Sequence, residues 1–405
     1  MKIRHFILTS LLTLTLVIGA ASSAQQPAPR LEKQPERLSP AEFARVSQEI
    51  SEEGGYFHSD NLVSNELTYP QAVEKLKQLN ISGGAYVGVG PEQNFTYIAK
   101  IRPRIAFIID IRRMALVQHL MYKAVFQLAS NRAQFLSILL SKPIGKEKVP
   151  GDQASIQELV NFFSQIPTTE QAYTANLAEI RKTVLQGFQF PLTESERAGL
   201  DSIYRSFCAA GFDLTYQAYS NGFPGVSPGF GREIRVPIYV GAFPTLGEVI
   251  TQTDPNGKNG GFLSTKEDYE FVRELHRKNL IIPITGDFAG PKALAGIGDY
   301  LRRHGYTVSA FYVSNVEQYL FQNRVFDHFA KNVRKLPIND QSLFIRSVSA
   351  RYFPSTGLSS LRSIILLQQM PVFVKDHEDG LYPGYYDLVT THFISTSPSV
   401  SSGRN

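Results

Sequence analysis

Ala85-Tyr86-Val87-Gly88-Val89-Gly90-Pro91-Glu92-Gln93-Asn94, followed by Ile105-Ala106-Phe107-Ile108-Ile109-Asp110, is the stretch that decides the fold of this chain. An apolar run ends in a glycine turn, an amphipathic segment carrying Phe95, Ile98, Ala99 and Ile101 follows, and a second apolar run closes on an acid. The order strand, glycine turn, helix, strand, acid predicts a Rossmann-type unit. Glycines at the first strand end let a ligand approach the backbone, and an acid at the second strand end accepts hydrogen bonds from ribose hydroxyls. The dinucleotide form needs a third glycine where this chain has Gln93, so the tight pyrophosphate turn is not reproduced and nicotinamide or flavin binding is disfavoured.

Outward from this unit, the pattern stays α/β. Ser39 with Pro40 predicts a helix start, and Thr68 with Gln71 predicts a capping box opening a second helix with Val73, Leu76 and Leu79 on its apolar face. After Asp110, Leu116, Leu120, Ala124 and Leu128 recur at helical spacing and read as core, and another helix is expected over about 132–140. A helical insertion is expected over about 151–211, with a Thr193 to Glu196 capping box and Gly211 as a stop. Its expected role is a lid, an accessory layer or a partner surface. The Gly- and Pro-rich loop Asn221 to Arg232 reads as an ordered connection or as an aromatic flap over a ligand. Leu280 to Ile284, Thr307 to Val313 and Leu343 to Val348 read as further strands, with a helix from about Pro291 to His304 stopped by Gly305. In an open parallel sheet, ligands lie beyond the strand carboxyl ends at the topological switch, so Gly88, Gly90, Asp110, Asp287 and Asn315 are expected to converge. Asp287 reads equally as a substrate-facing group and as a helix cap.

The G-x-G at Gly88 and Gly90 with Asp110 resembles the S-adenosylmethionine-dependent methyltransferase fold. It departs from that class at Tyr86, where an acid is usual near the first strand's end, and at Glu92, where a small residue is usual and a carboxylate would repel or block the methionyl group. More closely, Ser59-Asp60-Asn61-Leu62-Val63-Ser64-Asn65-Glu66 and Ser314-Asn315-Val316-Glu317-Gln318-Tyr319-Leu320 look like an exported bacterial family of proteins with a methyltransferase-like fold and no established activity. The resemblance covers most of the chain after about residue 45. It implies a Rossmann-like, class I methyltransferase-type α/β domain: a mostly parallel sheet with helices on both faces and a helical insertion. It also implies S-adenosylmethionine as the cofactor to test, at Gly88, Gly90, Glu92, Asn94 and Asp110. Substrate-facing candidates are Asp60, Asn61, Glu66, Asp287, Ser314 and Asn315. Asp60 and Glu66 read either as paired acids or as acceptors of backbone amides.

The amino terminus reads as a signal peptide over residues 1–24: Lys2, Arg4 and His5 precede an apolar run from Phe6 to Ile18, and small residues end at Ala24. The run is too short to span a bilayer comfortably, so no stable transmembrane span is expected after cleavage; an uncleaved anchor is the alternative. Residues 25–40 read as a disordered tether, 41–394 as the domain, and 395–405 as a flexible tail. One cysteine, Cys208, excludes an intrachain disulfide, and with the signal pattern it suggests a periplasmic or extracellular location. Export separates the chain from cytoplasmic S-adenosylmethionine.

Composition is that of a globular protein, 43% hydrophobic and 19% charged. The formal charge of +5 falls to +3 without Lys2 and Arg4, too little to indicate nucleic acid as a partner. The cluster Lys100, Arg102, Arg104, Arg112 and Arg113 reads as a solvated rim or as guidance for an anionic ligand. Signatures of zinc proteases, thiol redox proteins, phosphate-loop enzymes and serine esterases are missing, and Asp376-His377-Glu378-Asp379 reads as an exposed turn, so no metal is expected. Two functions remain: a non-catalytic exported protein that binds a nucleoside-like or other small molecule, or an envelope protein partner, in the cleft; or an active methyltransferase of unassigned acceptor.

Overall fold

The computed structural model describes residues 32–146, 148–216, 243–353 and 362–397; the signal segment, the Asn221–Arg232 loop and the last eight residues lie outside them. The first helix, α1 (Pro40–Ile50), starts in a closed capping box in which Ser39 and Glu42 satisfy one another's amides. Next, α2 (Tyr69–Gln78) follows Thr68, but the expected box with Gln71 does not form. A distant acceptor takes the hydroxyl instead: Thr68 Oγ1 donates to the Ser363 carbonyl at 3.4 Å.

Five strands pair in parallel: β1 (Ala85–Gly88), β2 (Ile105–Asp110), β3 (Ile281–Thr285), β4 (Val308–Ser314) and β5 (Leu343–Ser349). Two more, β6 (Ser363–Gln369) and β7 (Ile394–Ser395), extend the sheet antiparallel, giving the order β3-β2-β1-β4-β5-β6-β7. Sheet pairing thus reaches Ser395, where the tail was expected to begin. The strands β1, β2 and β3 are buried along their whole lengths, which is why they read as continuous apolar runs instead of alternating ones. Order reverses between β1 and β4, so the switch point lies at the end of the glycine strand.

The helices α3 (Gln93–Ile101) and α4 (Arg113–Leu128) flank the first two strands. α4 is buried nearly all round, from Ala115 to Phe126, because it packs on β2 and β3 and also carries the helices outside it. These are α5 (Arg132–Leu139), α6 (Ile156–Ser164), α7 (Glu170–Lys182) and α8 (Glu194–Ala210), the last opened by the Thr193–Glu196 box and ended at Gly211 with φ +58°. Then come α9 (Leu246–Thr251), α10 (Lys266–Arg277), α11 (Ala293–Arg303), α12 (Val316–Gln322), α13 (Phe326–Val333), α14 (Met370–Glu378) and α15 (Tyr385–Thr390). The cluster Asp376 to Asp379 ends α14 and enters the turn after it, with Glu378 and Asp379 exposed as expected. Asp376 is buried, accepting from Tyr382 Oη at 2.7 Å and contacting His392 Nδ1 at 2.9 Å. No helix among the described residues is long and apolar enough to cross a membrane.

Candidate functional site

Between α1 and α2, residues 51–68 form no regular element; they cross the carboxyl end of the sheet as a strap. Polar groups from the strand ends and from α4 pin it. The Thr285 amide donates to Ser51 Oγ (3.0 Å), the Gly55 amide to the Ile111 carbonyl (2.7 Å), and Gln118 Nε2 to the Leu62 carbonyl (2.6 Å). Glu52 takes the amides of Asp287, Lys292 and Ala293, each at 2.9 Å, so the start of α11 is filled by a carboxylate of the chain itself.

The residues predicted to bind a cofactor divide sharply. Gly88 is a glycine for an internal reason: a Cβ there would collide with Asn94 Oδ1 and the Tyr86 ring. Asn94 is fully buried and donates Nδ2–H to the carbonyls of Val89 (2.9 Å), Gly90 (3.0 Å) and Pro91 (2.8 Å), while Tyr86 Oη donates to its Oδ1 at 2.9 Å. It holds the turn from within and is not among the residues that line the cleft. Gly90, at φ +79°, has open space where a side chain would stand, and with Val89 and Pro91 it lines the cleft. Glu92 points away from the cleft. It is 3% exposed and accepts the Ser64 amide at 2.8 Å, which ties the strap to α3. Burial lifts its pKa to about 7, against the lowering effect of that bond, and the charge of Glu66 adds to the rise. The expected repulsion of a ligand by Glu92 therefore has no geometry to act through.

Asp110 stands at the end of β2 as expected, but Arg112 occupies its carboxylate. Nε–H reaches Oδ1 at 3.0 Å, Nη2–H reaches Oδ2 at 2.8 Å, and the Arg112 amide adds a third bond at 2.9 Å. The free edge of the guanidinium donates to the carbonyls of Ser59 and Asp60 on the strap. The bidentate geometry matches the fork of arginine to a carboxylate. Asp60 thus contributes its carbonyl, and its side chain is not among the cleft's walls. The rest of the basic cluster is also engaged: Lys100 and Arg102 with Asp268, Arg104 with Gln34, and Arg113 with Glu196. Arg102 and Arg104 are exposed, as a solvated rim requires, whereas Arg112 is buried.

A cleft of about 600 Å³ opens at the switch point. It is walled by residues following all five parallel strands, including Gly90, Asp110, Asp287, Ser314 with Asn315, and Ser349, and by the strap residues Asn61 and Glu66. Of the five residues expected to converge, Gly90, Asp110, Asp287 and Asn315 do so; Gly88 faces inward. Asp287 makes a local turn, its Oδ1 accepting the Ala289 amide at 2.9 Å, and caps no helix. At the floor, Ser314 takes a left-handed backbone (φ +50°) and donates Oγ–H to Glu66 Oε1 at 2.6 Å. Asn61, also left-handed at φ +49°, lies on the opposite strap. Glu66 is 2% exposed, its Oε2 has no hydrogen-bond partner, and burial raises its pKa against the lowering effects of Ser314, Tyr312 and Ser347. It accepts no backbone amide. Phe57, His58 and Tyr319 form an aromatic cluster beside the strap, with Phe57 and Tyr319 centroids 5.1 Å apart in an edge-to-face contact.

Sequence reasoning missed the strap, the Arg112 clamp and the Asn94 staple. The first two carried a faint signal: a stretch without periodicity before the glycine strand, and an Asp-Ile-Arg step at a strand end.

The fold and cleft define an α/β protein with a switch-point cavity closed on one side by its own strap. The chain belongs to the family of a domain of unknown function (DUF7790), whose profile matches residues 61–184 and 244–376. The two matched segments contain every parallel strand, Glu66 and Ser314. No curated protein matches the chain.

Proposed function

We propose that this protein binds a small molecule, nucleoside-like or of similar size, in the cleft at the carboxyl ends of its parallel strands. The observation that carries this reading is the convergence of five strand ends on one cavity of about 600 Å³, within the size range of small-molecule sites. The open backbone at Gly90 and the left-handed Ser314 support it, because a non-glycine residue held in that conformation at a cleft is a common mark of a working site. The signal-peptide pattern supports an exported protein acting in the periplasm or outside the cell, where an envelope protein partner is the alternative occupant.

An S-adenosylmethionine-dependent methyltransferase is the second reading, favoured by the β3-β2-β1-β4-β5 order and by an acid ending β2. The pairing of Asp110 with Arg112 counts against it, because three of the carboxylate's acceptor positions are filled before any ribose arrives. Were the cofactor to bind, Gly90 and Asp110 would hold it, and it would supply the methyl group. Calorimetric titration with S-adenosylmethionine, S-adenosylhomocysteine and adenosine separates the readings. Asn315→Trp is the cavity-filling control, since that side chain makes no cap bond. Micromolar binding of the two cofactor forms but not adenosine, abolished by Asn315→Trp, would establish the methyltransferase reading. Binding of adenosine alone would support the proposed one, and silence from all three at millimolar ligand would remove nucleosides from the ligand class.

A further inference from the structure

Glu66 is a buried carboxylate on the cleft floor; its Oε2 has no partner in good hydrogen-bond geometry, while the hydroxyls of Tyr312 and Ser347 lie near enough to favour its charged form. Buried carboxylates are ordinarily paired with a cation or fully hydrogen-bonded. The titratable groups facing this one are Tyr86 from β1, Glu92 and Tyr97 from α3, and Tyr312 from β4. All are acids. The nearest strand guanidinium in sequence to Ser347, that of Arg346, is committed to Glu317 (2.5 and 3.0 Å) and to Gln368 (2.8 Å). Arg112, the other arginine at the strand ends, is committed to Asp110. Arg351 and Arg362 also line the cleft, but neither is among the groups that shift Glu66, so no counter-ion stands beside it among the described residues. A metal ion is a poor candidate, since no group of three His, Cys, Asp or Glu side chains stands together there. Aromatic rings line the approach, among them Phe57, Tyr216, Phe288 and Tyr319. Ring faces attract organic cations.

We propose that Glu66 is the counter-ion for a ligand's primary ammonium group, so that the cleft takes a small organic amine carried on an aromatic or other planar body. This rests on the cleft being a ligand site, as proposed above, and narrows its ligand class. Ser314 orients the carboxylate through Oε1; Oε2 is closed to solvent in the free protein, so the ligand's N–H donors reach it by displacing the hydroxyls of Tyr312 and Ser347 around it. In the free protein, burial favours the protonated carboxyl. The ammonium arrives charged, the carboxyl gives its proton to solvent, and an ion pair forms, so binding releases protons and tightens as pH rises toward the carboxyl's own pKa.

The test is calorimetry on the full chain across pH 6 to 8 with tyramine, its alcohol analogue 4-(2-hydroxyethyl)phenol, and 4-hydroxyphenylacetate, in phosphate and in HEPES, neither of which carries a primary amine. Tyramine is expected to saturate and to bind at least about tenfold tighter than the alcohol, with proton release, read from the buffer dependence of the heat, at those pH values where the free carboxyl is protonated; the acid is expected not to bind. Glu66→Gln should abolish the preference for amine over alcohol. The comparison of amine with alcohol needs only wild-type protein, and so decides the matter even if the variant does not fold. An alcohol that binds as well as the amine would leave the cleft a ligand site and overturn the cation. A preference retained in Glu66→Gln would also overturn it. Silence from tyramine at millimolar concentration would do the same, while the nucleoside titration judges the cleft separately.

Discussion

Asn94 spends its whole side chain on the glycine turn, and Glu92 beside it spends one oxygen on the strap; neither reaches into the cleft. Glu92 has a consequence in solution. Its folded pKa of about 7 lies above the ordinary 4.5, so between those values the folded protein holds more protons than the unfolded chain. Stability must then fall as pH rises through that window and level off above it. At about 1.4 kcal/mol per pH unit of full effect, the contribution reaches about 3 kcal/mol. His119, lowered to about 4 by burial, acts in the opposite direction between 4 and 6.5, so the comparison must be made between variants. Urea unfolding of wild type and Glu92→Gln is expected to show the wild type losing about 3 kcal/mol relative to the variant between pH 5 and pH 8. A difference independent of pH would show that Glu92 is ionised throughout.

At the scale of elements, the strap is the feature that sets the cavity. It lies across the ends of β2 and β3 and uses their polar groups, which leaves the free volume around the switch point and β4. The Asp110–Arg112 pair is its central pin, with side chains 7% and 10% exposed. Arg112→Ala leaves a buried carboxylate without its partner and is expected to cost about 3–5 kcal/mol. It should also speed proteolytic cleavage within 53–60, because two strap carbonyls lose their donor. In Asp110→Asn/Arg112→Met no charge is stranded, so most of the lost stability should return while the strap stays protease-sensitive. Chemical denaturation and limited proteolysis on the same samples read the two effects separately. Recovery of protection in the double variant would mean that the strap is held mainly by Glu52, Gln118 and Glu92.

Across the whole molecule, Lys123 marks the place where the sheet domain, the first helix and the helical insertion meet. Its ammonium is buried, bonded to the His276 carbonyl on α10 and set over the rings of Phe43 from α1 and Phe188 from the insertion, 4.6 and 4.7 Å from their centroids. No carboxylate joins it in an ion pair among the described residues, and burial lowers its pKa to about 7 from 10.5. Below pH 7 the charge is present in both states and the cost of burying it is constant. Between 7 and 10.5 the unfolded chain binds more protons, so the folded state gains as pH rises. Lys123→Met, close in volume, is expected to stabilise the protein by up to ~3 kcal/mol near pH 6, with a gain that shrinks above pH 7. Thermal unfolding across that range checks it. Destabilisation at every pH would mean that the two aromatic faces and the carbonyl outweigh the cost of burial.

The apolar runs at 85–88, 105–110 and 281–285, the caps at Ser39 and Thr193, and the stop at Gly211 were legible in the sequence because each depends on side chains within a few residues of one another. From them the parallel sheet, the helical insertion and the gathering of strand ends follow. The partner of each polar group was not legible. Asp110 sits where a ribose-binding acid would sit and is held by Arg112; Thr68 sits where a cap would sit and donates to Ser363; Glu66 meets Ser314 across 248 positions of chain. A strand or helix start is fixed by local periodicity and backbone geometry, whereas the acceptor a buried side chain finds is fixed by which distant segments the packed core brings within 3 Å. The sequence by itself therefore determined the sheet and the edge at which its cavity lies, and the tertiary structure alone decided which carboxylates are spent on holding the fold and which one, Glu66, is buried at the floor of the cleft.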